Sequence, residues 1–218
     1  MTDTERTPAS TTRAAVSTAA VHADAREVLG RWRAGTRELE SVRLGLVSYL
    51  DARPDACSRS CAPGHLTASA LVLDAAGERA LLTLHPRVGA WLQLGGHIEP
   101  EDTTLAGAAL REAEEESGIE GLTLDPEPFH VEIHALTCSL GVPTRHLDVR
   151  FVAHAPPGAV EAISDESLDL RWWPLTELPD EVAFGRSLVR SGPRRIGTLA
   201  DEASISEASS RPSATRGQ

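Results

Sequence analysis

Hydrophobic and polar residues alternate strictly in two stretches of the chain, 130–136 and 146–153. Such alternation is typical of half-buried strands with one polar face. Gly141 and Pro143 lie between the two stretches, so we expect a hairpin there. Shorter apolar runs predict further strands at 67–73, 79–84 and 91–94, with a turn at 74–78 joining the first two.

The N-terminal part of the chain has a different pattern. Residues 1–20 are rich in Ser, Thr and Ala without apolar periodicity, and we expect them to be disordered. Helical periodicity follows from Val21 to about Asp51, with a break near Gly35. We expect its apolar stripe to pack on the domain core; docking on a second subunit is the alternative. The stripe comprises Leu39, Val42, Leu46, Val47 and Leu50.

These patterns divide the chain into four parts. We predict a disordered tail at 1–20, a helical extension at 21–64, a catalytic domain at 65–190 and a second disordered tail at 191–218. Near the end of the domain, 176–178 and then 184–190 are predicted to form a closing helix.

The central stretch, Gly95 to Ile119, reads GGHIEPEDTTLAGAALREAEEESGI. A helix over 104–117, ended by Gly118, would gather Glu112, Glu115 and Glu116 on one face, because they stand at i, i+3 and i+4. Carboxylates there face the negative end of the helix dipole, and a divalent cation would relieve this repulsion. A solvated acidic face is the simpler alternative, but the glycine pair and the closing EESGI favour a metal site.

This stretch resembles the Nudix box, G-x5-E-x7-R-E-U-x-E-E-x-G-U, where U is aliphatic. Arg111 and Glu112 match R-E, Glu115 and Glu116 match E-E, and Gly118 matches the final glycine, with Ala113 and Ile119 at the aliphatic positions. The first half departs from the pattern: Asp102 stands at the acidic position, and eight residues rather than seven separate it from Arg111. The role of Asp102 is therefore open.

The resemblance, which spans about 65–190, implies a mixed β-sheet between helices, an α/β/α sandwich, to which the helical extension is added. It implies that water attacks phosphorus in a nucleoside diphosphate linked to another moiety, with Mg²⁺, or alternatively Mn²⁺, as cofactor. Arg111 would orient the glutamates. The ligands it implies are Glu112, Glu115, Glu116, the carbonyl of Gly95, and Glu166 from a later loop; a capping role is an equal alternative for Glu166.

Three further residues are candidates for substrate contact. Arg87, in a predicted connector, could bind a phosphate, although a solvated loop charge is the favoured interpretation. Glu132 and His134 project from the polar face of a predicted strand. If that face lies on the side of the acidic helix, they would line a cleft, and either could contact substrate or act as general base. Each alone is more often an exposed strand residue.

Composition restricts the partners and the compartment. The net charge of −11 argues against a nucleic-acid surface or an anionic membrane. No run has the length of a membrane span, and the N-terminus lacks the apolar core of a secretory signal, so a cytoplasmic enzyme is expected. Cys57 and Cys61 precede His65, but this spacing does not favour structural zinc, and we expect no zinc to copurify.

Two other functions compete with a pyrophosphohydrolase. A Nudix-like regulator that binds a nucleotide or sugar-nucleotide without hydrolysis has less need of the complete glutamate set. A diphosphate isomerase would need a catalytic cysteine outside the box, and nothing around Cys138 favours that role. The sequence does not identify the substrate, and a homodimer is an option that it leaves open.

Overall fold

The computed structural model describes residues 8–137, 141, 143–165 and 167–179. Three helices and eight strands form in these ranges. They are α1 (Pro8–Arg31), α2 (Arg37–Ala52), β1 (His65–Leu73), β2 (Arg79–Leu84), β3 (Trp91–Leu92), β4 (Leu94–His97), α3 (Leu105–Ser117), β5 (Thr123–Leu124), β6 (His130–Thr137), β7 (Pro143–His154) and β8 (Asp169–Pro174).

The eight strands form one mixed sheet centred on β1 and β7, which run parallel to each other. The opposite edge of β1 pairs antiparallel with β4 along 67–70 and with β2 at 72–73. The hairpins predicted from the turns, β1 with β2 and β6 with β7, are both confirmed. A mixed sheet with helices also confirms the predicted α/β class.

One face of the sheet packs against all three described helices. Leu66, Ala68, Val149 and Phe151 are buried there together with apolar residues of α1, α2 and α3. The α2 stripe belongs to this cluster: Leu46 and Leu50 are buried, and the other three members pack at its margin. The stripe is therefore part of the core, as predicted, because burying it against the sheet removes apolar surface from water.

The opposite face of the sheet is divided into an apolar and a polar part. Leu71, Leu73, Leu82 and Val152 pack there with Trp91 and Leu178. The polar part, which we call the polar face, is formed by paired residues of β1, β7 and β6 that alternate with the core positions. It comprises His65, Thr67, Ser69, Glu132, His134, His146, Asp148 and Arg150.

The start of α1 corrects one prediction. The helix begins at Pro8, so residues 8–20 are helical rather than disordered. The alanines of this segment explain the difference, since alanine has the highest intrinsic helix propensity. Residues 176–178 of the predicted closing helix follow β8 as a turn and not as a helix, which corrects that part of the prediction. The rest of it, 184–190, and the tail at 191–218 lie outside the described residues. None of the described helices has the length and apolar character needed to cross a bilayer.

Candidate active site

Two adjacent glycines bring strand β4 against helix α3. Gly95 has φ of 149°, and a Cβ there would lie 2.5 Å from the Cα of Ser69 on β1. A Cβ on Gly96 would lie 2.8 Å from Oε2 of Glu112. Only glycine therefore fits at Gly95, and at Gly96 the missing side chain is the space that the Glu112 carboxylate uses.

Local sequence signals fix the ends of α3. The hydroxyl of Thr104 accepts the Gly107 amide at 3.0 Å, which caps the first turn. Gly118, with φ of 64°, ends the helix, and its amide donates to the carbonyl of Glu114 at 2.9 Å. Leu105, Ala108, Ala109 and Ala113 are buried against the sheet. This packing fixes the rotation of α3 and turns its glutamates towards β4.

The N-terminal extension also contacts α3. Asp24 of α1 accepts the amide of Leu105, the first residue of α3, at 2.7 Å. A carboxylate at this position satisfies a free amide and interacts favourably with the positive end of the helix dipole. Helix α1 therefore helps to hold the helix that carries the glutamates, a role that the sequence alone did not indicate.

The three glutamates occupy distinct positions around the glycines. The amide of Gly95 donates to Oε2 of Glu116 at 3.1 Å. Glu112 lies against Gly96, whereas the side chain of Glu115 is 60% exposed. The structure thus places the carboxylates of Glu112 and Glu116 beside the backbone of β4, with Glu115 on the exposed side of the same helix end.

Arg111 connects the glutamates to the loop before the helix. Its Nη1 donates to Glu112 at 3.1 Å and to Glu115 at 2.9 Å, and its Nη2 donates to the carbonyl of His97 at 3.0 Å. Its Nε and Nη2 bind both oxygens of Asp102, at 3.1 and 2.9 Å. The hydrogen bonds to Asp102, with the surrounding carboxylate charges, raise the pKa of Arg111.

These contacts settle the role of Asp102, which sequence reasoning left open. The residue is 8% exposed, and its Oδ2 also accepts the amide of Glu99 at 2.8 Å. Both carboxylate oxygens are therefore used within the protein. Asp102 anchors Arg111 despite the extra residue in its loop.

The profile of the NUDIX domain family matches residues 63–191. The chain belongs to the Nudix family. Because the helix of the box, with Arg111 and the three glutamates, lies in this domain, we assign it as a Nudix pyrophosphohydrolase. Members of this family generally use divalent metal ions. None of the curated proteins matches the chain.

Three solved structures that match this chain are Nudix proteins, and the match spans nearly the whole of each of them. A Nudix hydrolase from Clostridium perfringens is 22% identical, with 62% of this chain and 97% of that one covered and a TM-score of 0.45. A MutT Nudix hydrolase from Burkholderia pseudomallei is 24% identical, with 58% and 96% covered and a TM-score of 0.43. An Ap4A hydrolase from C. elegans is 21% identical, with 63% and 98% covered and a TM-score of 0.43.

The predicted substrate contacts of the Nudix domain lie away from α3. Glu132 and His134 are on the polar face, whereas α3 packs against the other face of the sheet. Arg87 is exposed in the loop between β2 and β3. Burial lowers the pKa of His97 to about 3, and the charge of Arg87 adds slightly to this effect. Glu166 and Cys138 lie outside the described residues.

Sequence reasoning missed the central group of the polar face, Asp148. It is 2% exposed and accepts hydrogen bonds from Ser69 at 2.6 Å, Thr67 at 3.0 Å and Gln93 at 3.3 Å. Arg150 donates to Asp148 at 2.8 Å and also to Glu132. The alternation of 146–153 placed Asp148 on a polar face together with Arg150, but Thr67, Ser69 and Gln93 come from other parts of the chain.

The anchoring role of Asp102 gives a testable prediction. We expect Asp102→Asn to lower the free energy of unfolding by about 2 kcal/mol, because it replaces two charge-assisted hydrogen bonds to Arg111 by at most one weaker bond. Urea unfolding at neutral pH measures this change. Asp125→Asn is the matched control: Asp125 is 48% exposed and bound to His154 at 3.2 Å, so its change should stay within about 0.5 kcal/mol. Equal values for the two variants would contradict the anchoring role.

Proposed function

We propose that this Nudix domain is a Mg²⁺-dependent hydrolase of the pyrophosphate bond in a nucleoside diphosphate linked to another moiety, with Mn²⁺ as the alternative ion. The observation that supports it best is that Glu116 and Glu112 meet the backbone of Gly95 and Gly96, while Arg111 joins Glu112 to Glu115. A purely solvated acidic face would not need glycine at the point where a carboxylate meets β4.

The residues present suit a hard divalent cation. All the proposed ligands offer oxygen, from the three glutamates and the carbonyl of Gly95, and oxygen donors are those that Mg²⁺ and Mn²⁺ prefer. Nη1 of Arg111 now bonds to both Glu112 and Glu115, so binding would require a rotation of Glu115, whose side chain is exposed. Glu166 is proposed as an additional ligand.

When bound, the metal would neutralise the diphosphate and acidify the attacking water. The protein supplies the rest of the arrangement. Arg111 holds Glu112 at a fixed angle while Asp102 and the carbonyl of His97 hold Arg111 itself. Among the described residues, the helix glutamates are the carboxylates nearest to the proposed metal ion, so we propose that one of them accepts the proton of the attacking water.

We place the non-reacting part of the substrate towards the polar face and the β2–β3 loop. Arg87 supplies an exposed positive charge there, and Glu132 and His134 supply polar side chains on β6. A homodimer stays a prediction to be tested by light scattering; the α2 stripe no longer supports it, because that stripe is used within the subunit.

The first experiment is a phosphate-release assay on nucleoside triphosphates, dinucleoside polyphosphates and nucleotide-sugars, with pyrophosphatase or phosphatase coupling, with and without Mg²⁺. We expect turnover on one class that depends on Mg²⁺ and returns in part with Mn²⁺. If no compound of the panel released phosphate but nucleotide binding was still detected by thermal shift, hydrolysis would be contradicted. A regulator that binds a nucleotide without hydrolysing it would then be favoured.

A further inference from the structure

Three histidines from three different strands meet at one end of the polar face. His65 begins β1, His97 ends β4, and His146 lies opposite His65 on β7. One ring nitrogen from each lies within 4.8 Å of the other two. The ring centroids are 4.9 to 5.2 Å apart. No pair of these residues is close in sequence, so sheet pairing alone creates this group, which we call the histidine cluster.

Two ring nitrogens of the cluster are buried without a hydrogen-bond partner. They are Nε2 of His65, a residue that is 1% exposed, and Nε2 of His146. Burying a polar nitrogen unpaired costs stability, and native proteins rarely leave two such atoms in one contact group. A metal ion that accepts lone pairs from several ring nitrogens would satisfy both atoms at once.

The other nitrogen of His65 shows which of its atoms is available to such a partner. Nδ1 lies 3.4 Å from the carbonyl oxygen of Cys61. A carbonyl can only accept, so it favours the tautomer with hydrogen on Nδ1 and a lone pair on Nε2. A backbone carbonyl on the far nitrogen is also the common support of a metal-binding histidine.

We propose that His65, His97 and His146 together bind one divalent transition-metal ion, with Zn²⁺ as the ion to test and a fourth position open to water or an anionic group. Three neutral imidazoles suit zinc, whereas Mg²⁺ prefers oxygen ligands. In a tetrahedral zinc site the nitrogens are roughly 3.3 Å apart, given a metal distance of about 2.0 Å. The proposal therefore requires ring rotations that bring the three nitrogens, now within 4.8 Å of one another, closer together.

The charges near the cluster fit this ligand set. Burial, together with the neighbouring His65 and His134, lowers the pKa of His146 to about 4, so its ring is neutral at pH 7, as binding requires. The positive charge of Arg59 acts on all three histidines. A cation beside Arg59 is better tolerated if the fourth ligand is an anion or hydroxide, which is why we leave that position open.

The proposal replaces our sequence-based expectation that no zinc copurifies. That expectation weighed only the spacing of Cys57, Cys61 and His65. In the fold, burial raises the pKa of Cys57 to about 12, and Sγ of Cys61 lies 3.3 Å from the hydroxyl of Tyr49. Both thiols are free and buried, Cys61 contacts Tyr49, and the ring of His65 lies against two histidines that are distant in sequence.

The test uses the full chain with a histidine-free tag, stripped by a chelator and kept in excess Mg²⁺ to occupy the box. Zn²⁺ uptake is measured by calorimetry and elemental analysis, and Co²⁺ is added separately for the visible absorption of a tetrahedral site. The variants are His146→Gln and His97→Gln, both half-buried in the wild type. His130→Gln is the matched control. His130 is also half-buried, but it lies opposite Arg150 on β7, four residues away from His146 of the cluster.

We expect one equivalent of Zn²⁺ and a Co²⁺ spectrum in the wild type and in His130→Gln. Each cluster variant should bind Zn²⁺ at least about a hundredfold more weakly and lose the Co²⁺ spectrum, because one of the three proposed histidine ligands is removed. The Glu115→Gln/Glu116→Gln double variant should keep the zinc, which separates this site from the box. Absence of uptake in the wild type, or equal uptake in all variants, would overturn the proposal.

Discussion

Glu115→Gln and Glu116→Gln are each expected to lower metal-dependent turnover at least about a hundredfold, while the fold stays intact. Each substitution removes a negative charge and keeps the shape of the side chain. Glu115 is exposed, so its loss leaves no buried gap. Glu116 accepts the Gly95 amide, and a glutamine side-chain oxygen can still accept it. The measurement is kcat at saturating Mg²⁺ on the substrate class that the assay identifies, with circular dichroism as the check of folding.

Glu114→Gln is the matched control for both variants. Glu114 lies in the same turn of α3, carries the same charge, and stands at a box position that any residue can fill. Its turnover should stay within about threefold of the wild type, since a single surface charge has a small effect. If all three variants lost activity equally, net charge rather than ligand position would be responsible, and the proposed site would be wrong.

Replacing either box glycine by alanine should impair the protein, but Gly95→Ala should mainly lower stability and Gly96→Ala should mainly lower turnover. Gly95→Ala is expected to lower the free energy of unfolding by roughly 3 kcal/mol or more, because φ of 149° is closed to alanine and the new Cβ meets the backbone of β1. Gly96→Ala meets only the carboxylate of Glu112, the far end of a flexible side chain. It should keep the stability within about 1 kcal/mol but displace Glu112 and reduce turnover on the order of a hundredfold.

Urea unfolding and steady-state kinetics on the same preparations separate these two effects. Gly77→Ala serves as the control for backbone strain alone: its φ is 67° and no atom lies within 4 Å of an added Cβ. We expect it to cost about 1–2 kcal/mol and to leave turnover unchanged. Wild-type turnover in Gly96→Ala would show that Glu112 does not need the space beside β4.

The sequence determined the local elements of this protein because their signals are local. Period-two alternation located β6 and β7, and the turn residues located the hairpins. Helix α3 was predicted almost to the residue, since its cap at Thr104 and its stop at Gly118 are side-chain and backbone effects within a few positions. The spacing of three glutamates likewise follows from helix geometry alone.

The start of α1 shows where local reasoning was incomplete. Residues 8–20 lack an apolar period, and we predicted disorder from this absence. They are helical because alanine has a high helix propensity and because the helix that includes Val21 extends back through them. The same limit applied to Glu132 and His134. Alternation showed that they share a face, but a single strand does not reveal which face the helices cover.

Only the tertiary structure decided the contacts between residues that are distant in sequence. Asp102 anchors Arg111 across a loop of unusual length, and Asp24 of the extension caps α3. Strand pairing brings His65, His97 and His146 together. The sequence thus determined the family, the helix and its carboxylates, because these depend on spacings of a few residues. The supports of the site and the histidine cluster depend on strand order and register, which emerge only when the sheet has formed.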